Sequence, residues 1–353
     1  MLSVILTAVI RNLAAQSGFV ATPSADRHHR TIVPLGGGIA IFTTLAIVIA
    51  GAMAAVKIFA GGGYLNWLGE SVTIHTAGFL EKINQLVVLL LCMLVLFAMG
   101  LRDDKERLGP FLKLAVQFAV ATAAAWFAEI RVEFFIESKI ITSGLSAVWI
   151  VLIINVFNFL DNMDGASAGI AVITSSILFS AAALSGQVFV GGLALVFVGT
   201  LLGFLVFNFP PAKIFMGDAG SLVVGFMVAV LTLKTTYYHE GESGQWYAVF
   251  MPLVVMAVPL YDFVSVTVLR LSQGKSPFVG DTQHFSHRLK RRGLNETQTV
   301  LTLYLATLCT GLGAAFLNQV NAAGAVLILI QTIMVLVIIA ILEAATQNDR
   351  SSD

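Results

Sequence analysis

Four short stretches concentrate residues whose types and spacing suit chemistry. "MGLRDDKERLGP" ends an apolar run in adjacent carboxylates, Asp103 and Asp104, among Arg102, Lys105 and Arg107. "FNFLDNMDGASAG" carries Asp161 and Asp164 at i, i+3 spacing, one face if the turn is helical. Asn158 and, just upstream, Asn155 lie about one helical turn apart inside the preceding apolar run. "FNFPPAKIFMGDAGSLVVGF" sets Asp218 between Gly217 and Gly220, after Pro210 and Pro211. "GKSPFVGDTQHFSHRLKRRGL" spaces His284 and His287 at i, i+3, followed by Arg288, Lys290, Arg291 and Arg292.

Each stretch has a plain structural reading. The Asp103–Asp104 pair suits a solvated turn balancing its own charges. Asp164 and Asp218 suit helix N-caps, although a glycine-flanked helix start is also a place to approach a phosphate. The basic run suits anionic lipid headgroups. Two histidines without a nearby third ligand make a weak zinc site. Taken together, the four place Asp, Asn, Gly, His and Arg at one level of the chain's organisation. Carboxylates serve a hard divalent cation such as Mg²⁺, and basic forks serve phosphates. That combination is the equipment of phosphoryl transfer, which depends mostly on positioning and charge neutralisation.

The elements that must position these residues are membrane helices. Of 353 residues, 58% are hydrophobic and only 11% are charged, about half the charge of an ordinary soluble domain. Several runs reach the ~20 apolar residues a bilayer crossing needs, and they do not alternate as barrel strands would. The expected fold is all-α, a polytopic helical bundle of eleven spans, with ten as the alternative. The approximate limits are 1–17, 36–58, 83–101, 111–129, 143–160, 166–185, 188–207, 219–237, 246–269, 297–317 and 323–344. The first is interrupted by Arg11. "MLSVILTAVIRNLAAQ" lacks a basic leader ahead of its apolar part, so it reads as a span and not a cleaved signal. The whole of 1–353 reads as one membrane domain, with a loop at 270–296 carrying the His/Arg stretch and a tail at 345–353.

Lysines and arginines concentrate in one set of loops, which the positive-inside rule makes cytoplasmic. The N-terminus is then outside and the C-terminus inside. The acids and histidines, not used in that assignment, fall on the same cytoplasmic side. Zero formal net charge argues against a nucleic-acid partner. Cys92 and Cys309 lie in apolar runs and read as buried thiols. A transporter would place its acids at mid-membrane between inverted repeats; here they gather at one face and no repeat is evident. A structural scaffold leaves the Asp and His placement unexplained.

In order along the chain, "RHHRTIVPLGGGIAIF", "LRDDKERL", "NVFNFLDNMDG", "NFPPAKIFMGDAGS" and "DTQHFSHRL" resemble the polyprenyl-phosphate N-acetylhexosamine-1-phosphate transferases, glycosyltransferase family 4. The resemblance covers about residues 20–295 and is strongest to the bacterial undecaprenyl-phosphate N-acetylglucosamine-1-phosphate branch. The phospho-N-acetylmuramoyl-pentapeptide transferases are the alternative specificity. The resemblance implies transfer of a sugar-1-phosphate from a UDP-N-acetylhexosamine to undecaprenyl or another polyprenyl phosphate, releasing UMP, with Mg²⁺ or Mn²⁺. It implies that Asp103 and Asp104 are the catalytic aspartate pair and that Asp218 and Asn158 hold the metal. Asp161 and Asp164 would lie near nucleotide and metal, Phe215 near the uracil, and Lys113 near the phosphates. His284, His287 and Arg288 would close on the diphosphate and sugar. Two positions depart from the pattern. Ser286 stands where the middle histidine of His-x-His-His is usual, so a mechanism needing that histidine does not carry over. Ala21 stands where an aspartate is common. The sugar, the polyprenol and the oligomeric state, a homodimer included, stay open at this level.

Overall fold

The computed structural model describes residues 1–21, 32–61, 75–132, 136–235, 246–275, 288–290, 293–317 and 319–348. Its helices are α1 (Leu2–Gln16), α2 (Gly37–Gly61), α3 (Thr76–Glu81), α4 (Ile83–Lys105), α5 (Pro110–Phe127), α6 (Lys139–Leu160) and α7 (Ala166–Leu184). They continue as α8 (Val188–Asn208), α9 (Gly217–Lys234), α10 (Met251–Val255), α11 (Ala257–Ser272), α12 (Glu296–Ala315) and α13 (Ala322–Asn348). Backbone polar groups in lipid must be satisfied within the segment, which is why apolar runs of this length become helices.

An apolar helix can face lipid or protein, and α9 is the one that protein encloses. Every residue from Ala219 to Thr232 is buried, within a wall formed by α2, α4, α6, α7 and α8. Close approach depends on small residues, as membrane packing requires. A Cβ at Gly100 of α4 would meet Ala219 Cα at 2.6 Å.

Among the described residues, nine helices are long and apolar enough to cross a membrane, and α10 with α11 would make a tenth. Two of the eleven expected spans therefore differ. The segment at 1–17 forms a helix of only 15 residues, about 22 Å at 1.5 Å per residue, short of the ~30 Å hydrocarbon core. It still belongs to the bundle: Ser3 Oγ donates to Thr200 O of α8 at 2.6 Å. The segment at 246–269 breaks at Met256, and its halves diverge by 64°. Pro259, in the first turn of α11, lacks an N–H and its ring would crowd the carbonyl four residues back. One continuous helix is therefore unfavourable there.

The end of α1 and the start of α2 are joined across the chain to the start of α9. Strand β1 (Val20–Ala21) pairs antiparallel with β2 (Val33–Pro34), which puts Ala21 opposite Val33. Phe215 N–H then donates to Pro34 O at 2.9 Å, and Gly37 N–H donates back to Phe215 O at 2.9 Å. Cys92 is buried, whereas Cys309 is half-buried; both are free.

Candidate active site

Asp103 and Asp104 lie in the last turn of α4, not in the loop beyond it. Adjacent positions on a helix point about 100° apart, and the two side chains part company accordingly. Asp103 Oδ1 accepts Leu108 N–H at 2.7 Å, closing the turn that leads to Pro110 at the start of α5. Its Oδ2 accepts Lys113 Nζ at 2.7 Å. The same ammonium reaches Asp218 Oδ2 at 3.1 Å. From the end of α6, Asn158 Nδ2 donates to Asp218 Oδ1 at 3.1 Å and to Ser221 Oγ at 2.9 Å.

Four helix ends thus meet on one charged cluster of Asp103, Lys113, Asn158 and Asp218. The Asp103, Lys113 and Asp218 side chains are 10%, 25% and 29% exposed. Their charges are drawn partly out of water, where they interact strongly, yet a ligand can still reach them. One cation faces two carboxylates, a balance that leaves net negative charge for a second cation.

Asp104 turns the other way. Its Oδ1 accepts Asp218 N–H at 2.8 Å and its Oδ2 accepts Ala219 N–H at 3.1 Å. Neither Asp218 nor any residue of its own segment caps α9; a carboxylate from α4 does. Two of the amides at this glycine-flanked helix start, those of Asp218 and Ala219, are therefore already taken. Gly217 makes the arrangement possible. Its φ is +70°, and a Cβ there would fall 2.7 Å from Asp104 Oδ2.

The turn after α6 is also held from outside. Leu160 is the last helical residue and Asp161 follows as the C-cap, so Asp161 and Asp164 do not share a helical face. Asp164 does not cap α7 either; Gly165, in the left-handed conformation, occupies that position. Asp164 is 3% exposed and accepts Ala212 N–H at 2.7 Å. Gly165 N–H donates to Asn208 Oδ1 at 3.1 Å, and Gly165 O accepts the Tyr304 hydroxyl of α12. Asn208 Nδ2 in turn donates to Ile214 O at 2.9 Å.

Phe215 is half-buried beside this frame. Arg288 donates through Nη2 to Ser265 Oγ of α11 at 3.0 Å. Nearby on α11, Arg270 is 2% exposed, with its guanidinium 5.1 Å from the centre of the Phe159 ring. His284 and His287 lie outside the described residues, as do Arg291 and Arg292.

Residues 86–236 match the model of "Glycosyl transferase family 4", a span from α4 through α9 that includes Asp103, Lys113, Asn158 and Asp218. A probable undecaprenyl-phosphate N-acetylglucosaminyl 1-phosphate transferase of Bacillus subtilis is 29% identical over 323 residues, 89% of this chain and 82% of its own. A decaprenyl-phosphate N-acetylglucosaminephosphotransferase of Mycobacterium tuberculosis is 30% identical over 351 residues, 91% of this chain and 82% of its own. The chain belongs to glycosyl transferase family 4. An undecaprenyl-phosphate alpha-N-acetylglucosaminyl 1-phosphate transferase of Thermotoga maritima, 29% identical over 86% of this chain and 83% of its own, is a further relative.

For a member of glycosyl transferase family 4, the donor set of the cluster can be tested against a divalent cation. Asp103, Asp218 and the amide of Asn158 are hard oxygen donors. No described group of three or more His, Cys, Asp or Glu side chains is spaced to hold a metal by itself. An ion here would complete its shell from substrate phosphate and water, the usual habit of Mg²⁺. The donors fit such an ion. The Asn158 amide would supply its oxygen after a half-turn.

Sequence reading missed several contributors. Ser221 lies three residues after Asp218 on α9, so helical periodicity could have found it. Gln117, Asn208 and Tyr304 left no such signal, because their partners are 38 to 139 residues away. Arg270 is the first residue of the expected 270–296 loop, yet it is a buried residue of α11.

Proposed function

We propose that this chain transfers N-acetylglucosamine-1-phosphate from UDP-N-acetylglucosamine to undecaprenyl phosphate or a closely related polyprenyl phosphate, releasing UMP. The carrying observation is the Lys113 ammonium set between Asp103 and Asp218, with Asn158 on the far oxygen of Asp218. Family membership and the names of the relatives support the same reaction. A lipid acceptor also accounts for a charged site on the ends of membrane helices.

In this reaction an oxygen of the acceptor phosphate forms a bond to the sugar-linked phosphorus of the donor. The bond from that phosphorus to the oxygen shared with the nucleotide phosphate breaks, and UMP leaves carrying the oxygen. Charge accumulates on the transferring phosphoryl group, so fixed cations that need not reorganise favour the transition state. Lys113 is such a cation. Asp103 stands where it can take a proton remaining on the acceptor phosphate. Asp104 holds Asp218 through the α9 backbone. Mg²⁺ or Mn²⁺, held by Asp218 and Asn158, would supply further positive charge to the diphosphate. Asp161, Asp164 and Phe215 serve the nucleotide end, Asp164 by fixing its turn, and His284, His287 and Arg288 serve the diphosphate and sugar. The site lies at the cytoplasmic face of the plasma membrane, where the soluble donor is found, with the C-terminus inside.

The test is UMP release by the purified protein with UDP-N-acetylglucosamine and undecaprenyl phosphate, with and without Mg²⁺. Release that needs both lipid and metal is the expected outcome. Release only from another UDP-hexosamine would move the specificity, and release from none would overturn the reaction.

A further inference from the structure

Asn155 is a polar residue inside an apolar stretch of α6, and the reaction above makes no use of it. Its Nδ2 donates at 2.7 Å to Val151 O of its own helix and at 2.7 Å to Gln117 Oε1 of α5. A backbone carbonyl can only accept, so Val151 determines that the nitrogen faces this side, and Gln117 must then present its oxygen. Gln117 is 2% exposed and follows Lys113 by four residues, one turn along the same face. Asn155 precedes Asn158 by three residues, again about one turn. The bond therefore ties α5 to α6 one turn beneath the cluster. At the cluster's own level, Lys113 reaches Asp218 Oδ2 and Asn158 reaches Asp218 Oδ1, each at 3.1 Å.

We propose that Gln117 and Asn155 form a positioning clip. It sets the register of α5 against α6 and so holds Lys113 and Asn158 on opposite oxygens of Asp218. Neither residue touches the substrates; both act through their neighbours one turn above. Gln117 is buried and Asn155 half-buried within an apolar stretch, so the bond between their amides is stronger than it would be in water. A slip of either helix would carry Lys113 or Asn158 off Asp218, and displacements near 1 Å can cost about a hundredfold in rate. The role rests on the proposed transferase reaction.

Three variants of the full chain test it. Gln117→Leu with Asn155→Leu removes both partners and leaves no orphaned polar group, which keeps the fold. Gln117→Asn with Asn155→Gln exchanges the two lengths and can re-form the bond. Gln117→Met stands in if the double leucine variant does not fold. The expected result is a kcat about tenfold or more below wild type for the double leucine variant. Its KM for polyprenyl phosphate and its unfolding temperature should stay near wild type, with most of kcat recovered in the exchanged pair. A folded double leucine or Gln117→Met variant turning over within about twofold of wild type overturns the clip. If wild type itself releases no UMP from any UDP-hexosamine, the reaction is wrong, and the clip is read without turnover. Mn²⁺ affinity measured by electron paramagnetic resonance should then fall in the double leucine variant and recover on exchange. Equal Mn²⁺ signals in all forms overturn it.

Discussion

Asp104 caps the helix that carries Asp218: its two carboxylate oxygens accept the N–H groups of Asp218 and Ala219 from across 114 and 115 residues of chain. Its neighbour Asp103 faces Lys113 instead. Two aspartates adjacent in sequence therefore do different work, and the difference can be measured.

Asp103→Asn should leave the fold intact, since Leu108 N–H keeps an acceptor, and should reduce UMP release by a hundredfold or so, the scale of a lost general base. Asp104→Asn keeps one of the two acceptors, sets an amide NH2 against the other backbone N–H and loses the charge at the helix start, a cost of about 0.5–2 kcal/mol. It should lower the unfolding temperature as well as the rate. Thermal unfolding in detergent beside UMP release separates the two; a stability loss in Asp103→Asn alone would reverse the assignment.

Lys113→Met leaves Asp103 and Asp218 without the ammonium that bridges them at 2.7 and 3.1 Å. Turnover should fall at least about a hundredfold, the scale of one lost electrostatic stabiliser. Lys113→Arg should recover only part of it, because a planar fork does not replace a point charge between two carboxylates. Full activity in the methionine variant would remove Lys113 from the site.

Asn158→Ala removes the amide expected to face the metal while Asp218 remains. The Mg²⁺ concentration giving half-maximal rate should rise about 10- to 100-fold, the range seen when a group supporting a metal is lost. A metal titration of UMP release reads it directly. An unchanged titration would place the ion elsewhere.

Gly217→Ala forces a Cβ to within 2.7 Å of Asp104 Oδ2 at a residue whose φ is +70°. The left-handed strain alone is about 1–2 kcal/mol, and the clash displaces the cap. Both unfolding temperature and turnover should drop. Unchanged values in both would mean that the cap is not needed.

Tyr304→Phe deletes only the hydroxyl that donates to Gly165 O. A buried hydrogen bond of this kind contributes about 1 kcal/mol. A drop of a few degrees in unfolding temperature, with KM for the UDP-sugar raised and KM for the lipid unchanged, is the expected pattern. A rise in the lipid KM instead would put the Gly165 turn at the acceptor end.

Much of this molecule was legible without its structure. Hydropathy and run length are local properties, and lipid leaves the backbone little choice but helix; so α2, the helices from α4 to α9, α12 and α13 appear where the apolar runs predict them, while the short α3 (Thr76–Glu81) was not expected. The gathering of Asp103, Asn158 and Asp218 at one face followed from counting alternate ends of spans. The exceptions also have local causes, the shortness of α1 and Pro259 in α11. What sequence could not decide was which side chain meets which. Asp104 on the α9 backbone, Lys113 between two carboxylates, Asn155 on Gln117 and Tyr304 on Gly165 join residues 105 to 139 positions apart or, at the nearest, 10 to 38. Those pairings depend on the rotation and height of each packed helix. A run of apolar residues encodes that a helix crosses the membrane; only its neighbours determine where its polar ends point.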